Sequence, residues 1–316
     1  MKILIGYDGS ECSKAAIEDL KLAGFPQTVD ALVMSVADVI LPPPLTEAED
    51  IFPPTAPHGV RLAHVHAESK LYTASAMASQ TAEQVKRMFP SWNVNHEAIA
   101  DSPAWALIRK AEEWKSDLVV VGAHGHSVLG GRLILGSVSQ RVLYEARCSV
   151  RIARARAKER SGPLRILIGI DNSLHSNEAI KEVGRRHWSN ATEVRLLAVV
   201  DTVMSIPNPD EPEVLKWVEV ADEENWDQIR AIFLPSVNRL QRVGLNASTM
   251  IRRGNPKKQL LEEAESWGAD CIFVGAKGVR GIDRLLLGSV SSATSARADC
   301  TVEVVRPKIG GADTGR

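Results

Sequence analysis

Two stretches of the chain place glycine and serine at spacings suited to holding a small anion. In the later one the apolar run CIFVG leads into Gly275-Ala276-Lys277-Gly278, and after nine intervening residues comes Gly288-Ser289-Val290-Ser291, a G-x2-G-x9-G-S pattern. Glycines allow a close approach of backbone to ligand, and a helix opening at Gly288 would present free N–H groups and roughly half a positive charge to an anion. The hydroxyls of Ser289 and Ser291 can donate to phosphate oxygens or cap the helix. A polyphosphate suits such an arrangement without many lysines. Asp171, at the end of the run RILIGI, is the carboxylate placed to contact a ligand or to organise its own turn.

The earlier stretch repeats the pattern with one change. Asp8 closes ILIGY, and Gly122, Gly125, Gly136, Ser137, Val138 and Ser139 follow, but ten residues separate Gly125 from Gly136. The extra residue lies in HSVLGGRLIL, where Gly130-Gly131 can absorb it as a bulge, so the phosphate grip of this half is the weaker one. A Walker loop is excluded because Gly131 stands where G-x4-G-K-[S/T] needs lysine. A dinucleotide fingerprint is excluded because GYDGS and GIDNS follow the first strands instead of G-x-G-x-x-G. The same letters lack the glycine pair of S-G-G-x-D-S, the loop of ATP pyrophosphatases, which argues against an adenylating enzyme.

These loops belong to a repeat. KILIGYDGSECSKAAI (residues 2–17) returns as RILIGIDNSLHSNEAI (165–180), SDLVVVGAHG as ADCIFVGAKG, and LILGSVS as LLLGSVS. Within each copy, short Val/Ile-rich runs without polar alternation read as parallel strands covered on both faces. Amphipathic stretches between them, SKAAIEDLKLAG, residues 68–89 and PAWALIRKAEEW, read as helices, with Asp101-Ser102-Pro103 and Gly254-Asn255-Pro256 as helix starts. The order β-α-β-α-β-α-β-α-β predicts two tandem copies of a doubly wound open parallel five-stranded sheet. In such a sheet ligands settle beyond the carboxyl ends of the strands, near the topological switch point.

The expected domains are 1–153 and 164–307, joined by a charged linker over 154–163 and followed by a tail over 308–316. The Pro-rich segments 41–58 and 205–213 are expected as surface loops, spacers in preference to lids. With 316 residues, two domains of ordinary size each bury a core. Lys plus Arg (38) nearly cancels Asp plus Glu (39), which argues against nucleic acid and anionic membrane as partners. No stretch approaches the ~18 apolar residues of a membrane span, and MKILIGYDGS does not resemble a signal peptide, so a cytoplasmic protein is expected. Cys12, Cys148, Cys271 and Cys300 are scattered singly and are read as reduced. His58, His64, His66, His124 and His126 are read as solvated loop or helix residues, and Trp105, Trp114 and Trp267 as core packing.

These motifs resemble the universal stress protein family, whose ATP-binding members carry G-x2-G-x9-G-[S/T] after the fourth strand and an Asp after the first. The resemblance spans both halves and implies a Rossmann-like, adenine nucleotide alpha hydrolase-like fold. It implies an ATP site in the second half, often with a divalent metal such as Mg2+. There Asp171 lies toward the adenosine, the backbone of Val199 receives adenine, Gly275 lies by the ribose, and Gly278, Gly288, Ser289, Val290 and Ser291 surround the phosphates. Asp8, Val36, Gly122, Gly125, Gly136, Ser137, Val138 and Ser139 correspond in the first half. Lys277, Arg280 and Arg284 could meet a γ-phosphate or remain solvated. The resemblance further implies that the halves pair through their last strands, CSVRIAR and CTVEVVR, with further homodimerisation open. The function implied is a nucleotide-dependent binding module. An interaction protein of the same fold without nucleotide, and a weak ATP hydrolase using Asp8 or Asp171, are the alternatives.

Overall fold

Ile3, Leu4 and Ile5 are fully buried, and so are Ile166, Leu167 and Ile168. A run of this kind is covered on both faces only when helices flank the sheet on both sides. The computed structural model describes residues 1–39, 58–125, 135–155, 162–189, 191–200, 212–277 and 287–307. Of residues 58, 60, 61 and 212–225 it describes the backbone alone. Residues 41–57 and 205–211 of the Pro-rich segments, the middle of the linker, Gly130-Gly131 and the tail lie outside the described residues, while His58 and Pro212-Glu213, expected in those loops, open helices. The chain divides into two compact units.

The first unit contains β1 (Lys2–Gly6), α1 (Glu11–Asp19), β2 (Asp30–Ala37), α2 (His58–Met88), β3 (Asn93–Ala100), α3 (Pro103–Glu113), β4 (Leu118–Gly122), α4 (Ser137–Glu145) and β5 (Ser149–Ala153). Its strands are parallel in the order β3-β2-β1-β4-β5. Ile3 and Ile5 pack with Ala16 and Ile17 of α1 and with Ala82 and Val85 of α2. Gly6 faces the other side, where Leu107 of α3 lies close enough that a Cβ would meet its Cδ1 at 2.9 Å. The sheet is doubly wound, as the alternating pattern predicts.

The second unit repeats the plan with β6 (Arg165–Ile170), α5 (Leu174–Arg185), β7 (Glu193–Val200), α6 (Pro212–Arg242), β8 (Asn246–Arg253), α7 (Pro256–Trp267), β9 (Cys271–Gly275), α8 (Ser289–Arg297) and β10 (Thr301–Val305). The parallel order is β8-β7-β6-β9-β10. Its core gathers Ile166, Ile168, Ile180, Leu196, Phe233, Leu240 and Phe273. Pro103 and Pro256 stand in the first turns of α3 and α7, and Asn255 Oδ1 accepts from the Lys257 N–H at 3.0 Å. The helix expected over 68–89 instead begins at His58, because nothing after Pro57 interrupts it until Phe89-Pro90.

Three tryptophans expected in the core sit elsewhere. Trp105 is 46% exposed under Arg141, Trp114 receives Lys2, and Trp267 carries Arg195 at 4.2 Å from its ring centroid and Arg165 at 5.6 Å. They are platforms for cations, a use open to an aromatic face at a helix edge. His64 is not simply solvated, since its Nε2 lies 3.0 Å from Glu68 Oε1.

A buried charge holds α7 to the sheet. Glu263 receives Arg195 of β7 and Arg252 of β8, the latter at 2.6 Å. Burial acts to raise its carboxyl pKa, but the two guanidiniums outweigh it and hold the group below its ordinary value. The folded pKa is therefore below the unfolded one, and the stabilisation present above the unfolded value is lost as pH falls through the folded value. Glu263→Gln is expected to lower stability at neutral pH by about 1.5 kcal/mol. The difference from wild type should shrink as denaturant melts are repeated at progressively lower pH.

Candidate functional site

Both units place their first strand between the second and the fourth, so the chain turns in opposite directions on leaving β6 and β9, and a crevice opens at their carboxyl ends. In the second unit this crevice is a cavity of about 690 Å³, within the range of small-molecule sites. Gly169 and Ile170 from β6 with Asp171 just after it, Leu197 and Val199 from β7, and Val274 and Gly275 from β9 form its floor. Asn255, Pro256, Lys257 and Leu260 at the start of α7 form one wall. Lys277, Gly288, Ser289, Val290 and Ser291 form another. The structure thus brings together Asp171, Val199, Gly275, Gly288, Ser289, Val290 and Ser291, seven residues singled out in the sequence, Val199 among them only through the family resemblance. Gly278, Arg280 and Arg284 lie outside the described residues.

The turn after β6 is built by Asp171. Its Oδ1 accepts from the Ser173 N–H at 3.0 Å, Asn172 adopts a positive φ of 61°, and Ser173 Oγ accepts from the Ser176 N–H at 3.1 Å to cap α5. Ser173 Oγ also donates to the Lys277 carbonyl at 3.3 Å, tying this turn to the glycine loop. In the first unit Asp8 Oδ1 accepts from Ser10 N–H at 3.0 Å, Gly9 takes φ 80°, and Ser10 Oγ caps Ser13 and reaches the His124 carbonyl. The carboxylates therefore organise their turns. Both remain exposed, and Asp171 also lines the cavity.

The glycine loops are held by main chain. The Gly288 N–H donates to the Ala276 carbonyl at 2.7 Å, and Ser291 Oγ lies within reach of the carbonyls of Ala276 (3.1 Å) and Gly288 (2.9 Å). Ser139 Oγ likewise donates to the Gly122 carbonyl at 2.6 Å, and the Gly136 N–H to Ala123. The hydroxyl of Ser291, expected to donate to phosphate or to cap the helix, and that of Ser139 thus lie against loop carbonyls in this structure. Backbone N–H groups are open beside them. Gly288 caps α8 without a side chain, and among the described residues no acceptor takes the N–H of Ser289, Val290 or Ser291, the three orphans of the first turn. Gly136 precedes α4 in the same way, with Ser137 and Val138 partly or fully exposed beside it.

Gly122 and Gly275 owe their identity to packing. A Cβ on Gly275 would lie 2.5 Å from the carbonyl carbon of His175, and one on Gly122 would lie 2.6 Å from that of Cys12, so the first turns of α5 and α1 rest on these glycines. A Cβ on Gly125 would meet Asp8 Oδ2 at 2.8 Å. Val36 occupies on β2 the place of Val199 on β7. Burial, followed by the charges of Lys277 and Arg306, lowers the pKa of His175, and burial with Arg154 lowers that of His124, which favours the neutral form of each imidazole. His126 lies outside the described residues.

Lys257 was not legible as a site residue. It lines the cavity, whereas the adjacent Lys258 points to Glu262 at 3.6 Å. Among the described residues no group of three His, Cys, Asp or Glu side chains could hold a metal, and no helix is long and apolar enough to cross a membrane.

The sequence profile described as the universal stress protein family matches residues 1–154 and 164–306. A universal stress protein of Mycolicibacterium smegmatis is 30% identical over 225 residues, covering 68% of this chain and 69% of that protein. One from Mycobacterium tuberculosis is 27% identical across 96% of both chains. The crystal structure of a universal stress protein from Archaeoglobus fulgidus superposes with a TM-score of 0.57 over 96% of this chain and 98% of that one, at 21% identity, a likeness of fold.

Proposed function

Since the chain belongs to the universal stress protein family, carrying two of its domains in tandem, we propose that the second unit holds ATP and acts through the bound state instead of turning the nucleotide over. The observation that carries this reading is the cavity at the switch point, where an apolar floor meets three orphan N–H groups and two lysines. Leu197, Val199 and Leu260 suit an adenine ring, with the Val199 backbone as its polar contact. Asp171 then faces the adenosine end, Gly275 the ribose, and Gly288 to Ser291 the phosphates, with Gly278 completing the loop. The orphan N–H groups and the helix dipole favour the anionic end of the ligand at α8.

Mg2+ fits this site as a companion of the nucleotide. The phosphates of a bound nucleotide would supply its anionic oxygen ligands, since among the described residues no group of three His, Cys, Asp or Glu side chains could hold the metal. The metal would screen the phosphate charge. The chain's own residues orient the ligand: the loop serines fix the carbonyl framework, and the α8 amides hold the phosphates. The first unit has the same turn and loop and is proposed as the weaker site, because its spacing carries one residue more.

Binding without turnover separates this reading from a hydrolase and from an interaction protein that takes no nucleotide. Purified full-length protein is expected to release adenine nucleotide on denaturation, or to take up ATP when it is supplied, with no steady phosphate release. A steady rate that disappears in Asp171→Ala would assign an enzyme, and a chain that neither retains nor takes up ATP would be an interaction protein.

A further inference from the structure

The two units share their scaffold but differ in the charge they place at equivalent positions of the crevice. Aligned through D-S-P and G-N-P, Lys257 of the second unit corresponds to Ala104 of the first, and aligned through GAHG and GAKG, Lys277 corresponds to His124. Ala104 is buried, and burial, followed by the charge of Arg154, lowers the pKa of His124. Lys257 and Lys277 both line the second unit's cavity, one at the start of α7 and the other in the loop after β9. Among the described residues neither ammonium forms an ion pair, although Asp171 lines the same cavity and the neighbouring Lys258 is paired with Glu262.

Two partly exposed lysines that line one cavity, neither in an ion pair among the described residues, leave their charge available to an anionic ligand. A single phosphate beside the α8 amides would be served by the backbone. Each further phosphate of a nucleotide adds negative charge that neutral amides do not balance, and lysine acts there as a mobile point charge. We propose that Lys257 and Lys277 form a clamp that selects ligands carrying two or more linked phosphates, and that the first unit, with alanine and histidine at these places, lacks this selection. The clamp deepens the ATP reading of the same cavity and rests on it for the nucleoside, but not for the polyphosphate.

Calorimetric titration of the full chain with ATP, AMP and inorganic tripolyphosphate tests the clamp in wild type, Lys257→Met, Lys277→Met and Lys257→Arg. Either methionine variant should weaken ATP and tripolyphosphate about tenfold while shifting AMP by less than about twofold, and Lys257→Arg should recover most of the loss. Tripolyphosphate binding that depends on Lys257 in a protein that takes no adenine nucleotide would keep the clamp and remove the ATP reading. Equal losses for ATP and AMP, unchanged affinities, or a wild type indifferent to tripolyphosphate would overturn it.

Discussion

Gly275→Val should destabilise the second unit by about 3 kcal/mol, the upper part of the usual range for overpacking. The added Cβ would lie 2.5 Å from the His175 carbonyl carbon and 2.7 Å from the Ser176 nitrogen. Both atoms are backbone in the first turn of α5, which is fixed by the Asp171 turn and the Ser173 cap. No flexible side-chain end is available to yield, so the helix must lift from β9. Lifting it opens the floor of the cavity, so ligand affinity should fall along with stability. Gly59→Ala serves as control, since a Cβ there meets nothing within 4 Å and its effect should stay within about 1 kcal/mol. Denaturant melts followed by circular dichroism compare the two. A Gly275→Val midpoint equal to wild type would show that α5 can move at no cost.

The second large effect is stabilisation by ligand. A ligand that binds only the folded state contributes RT ln(1 + [L]/Kd), and ATP at millimolar concentration over a Kd of tens of micromolar gives about 2 to 3 kcal/mol. For a domain of this size the melting temperature should rise by on the order of 5 °C. A non-hydrolysable analogue should stabilise equally, because the proposed contacts are backbone amides and ammoniums that need no bond cleavage. Stabilisation by ATP but not by the analogue would tie the effect to turnover.

Much of this architecture is legible in the letters because the signals are local. The buried strands β1, β4, β6 and β9 announce themselves as unbroken apolar runs, and Pro103 and Pro256 mark helix starts that the structure reproduces. The glycine and serine spacing after β9 is likewise local, and the structure gathers those residues around one cavity. The edge strands β3 and β8 are harder to read, since NVNHEAIA and NASTMIRR expose much of their length and need no apolar run. Pro235 inside α6 would end that helix by a local rule, yet the helix continues past it. What depends on tertiary approach leaves no local mark. Lys257 and Lys258 are adjacent and chemically identical, and only the direction in which α7 starts decides which of them reaches the cavity. Gly275 reads as a ligand-side glycine and does line the cavity, but the helix packed against it is seen only in the fold. The carbonyl partners of the Ser139 and Ser291 hydroxyls leave no mark in the letters either. The cation platforms at Trp114 and Trp267 join residues far apart in sequence, and Glu263 is defined as an ionised buried group only by arginines from two other elements.

The central claim is that ATP sits in the second unit, with its phosphates on the amides that open α8. A Cβ on Gly288 would lie 3.2 Å from the Ala276 carbonyl oxygen and 3.4 Å from the Lys277 Cα, so a valine there pushes directly against the loop that frames those amides. The most direct measurement is an ATP titration of the full chain as wild type, Gly288→Val and Gly136→Val, with circular dichroism confirming that each variant remains folded. The account predicts that Gly288→Val removes most of the binding, while Gly136→Val leaves the tighter site in place. Undiminished ATP binding in a folded Gly288→Val protein, or a greater loss from Gly136→Val, would contradict it.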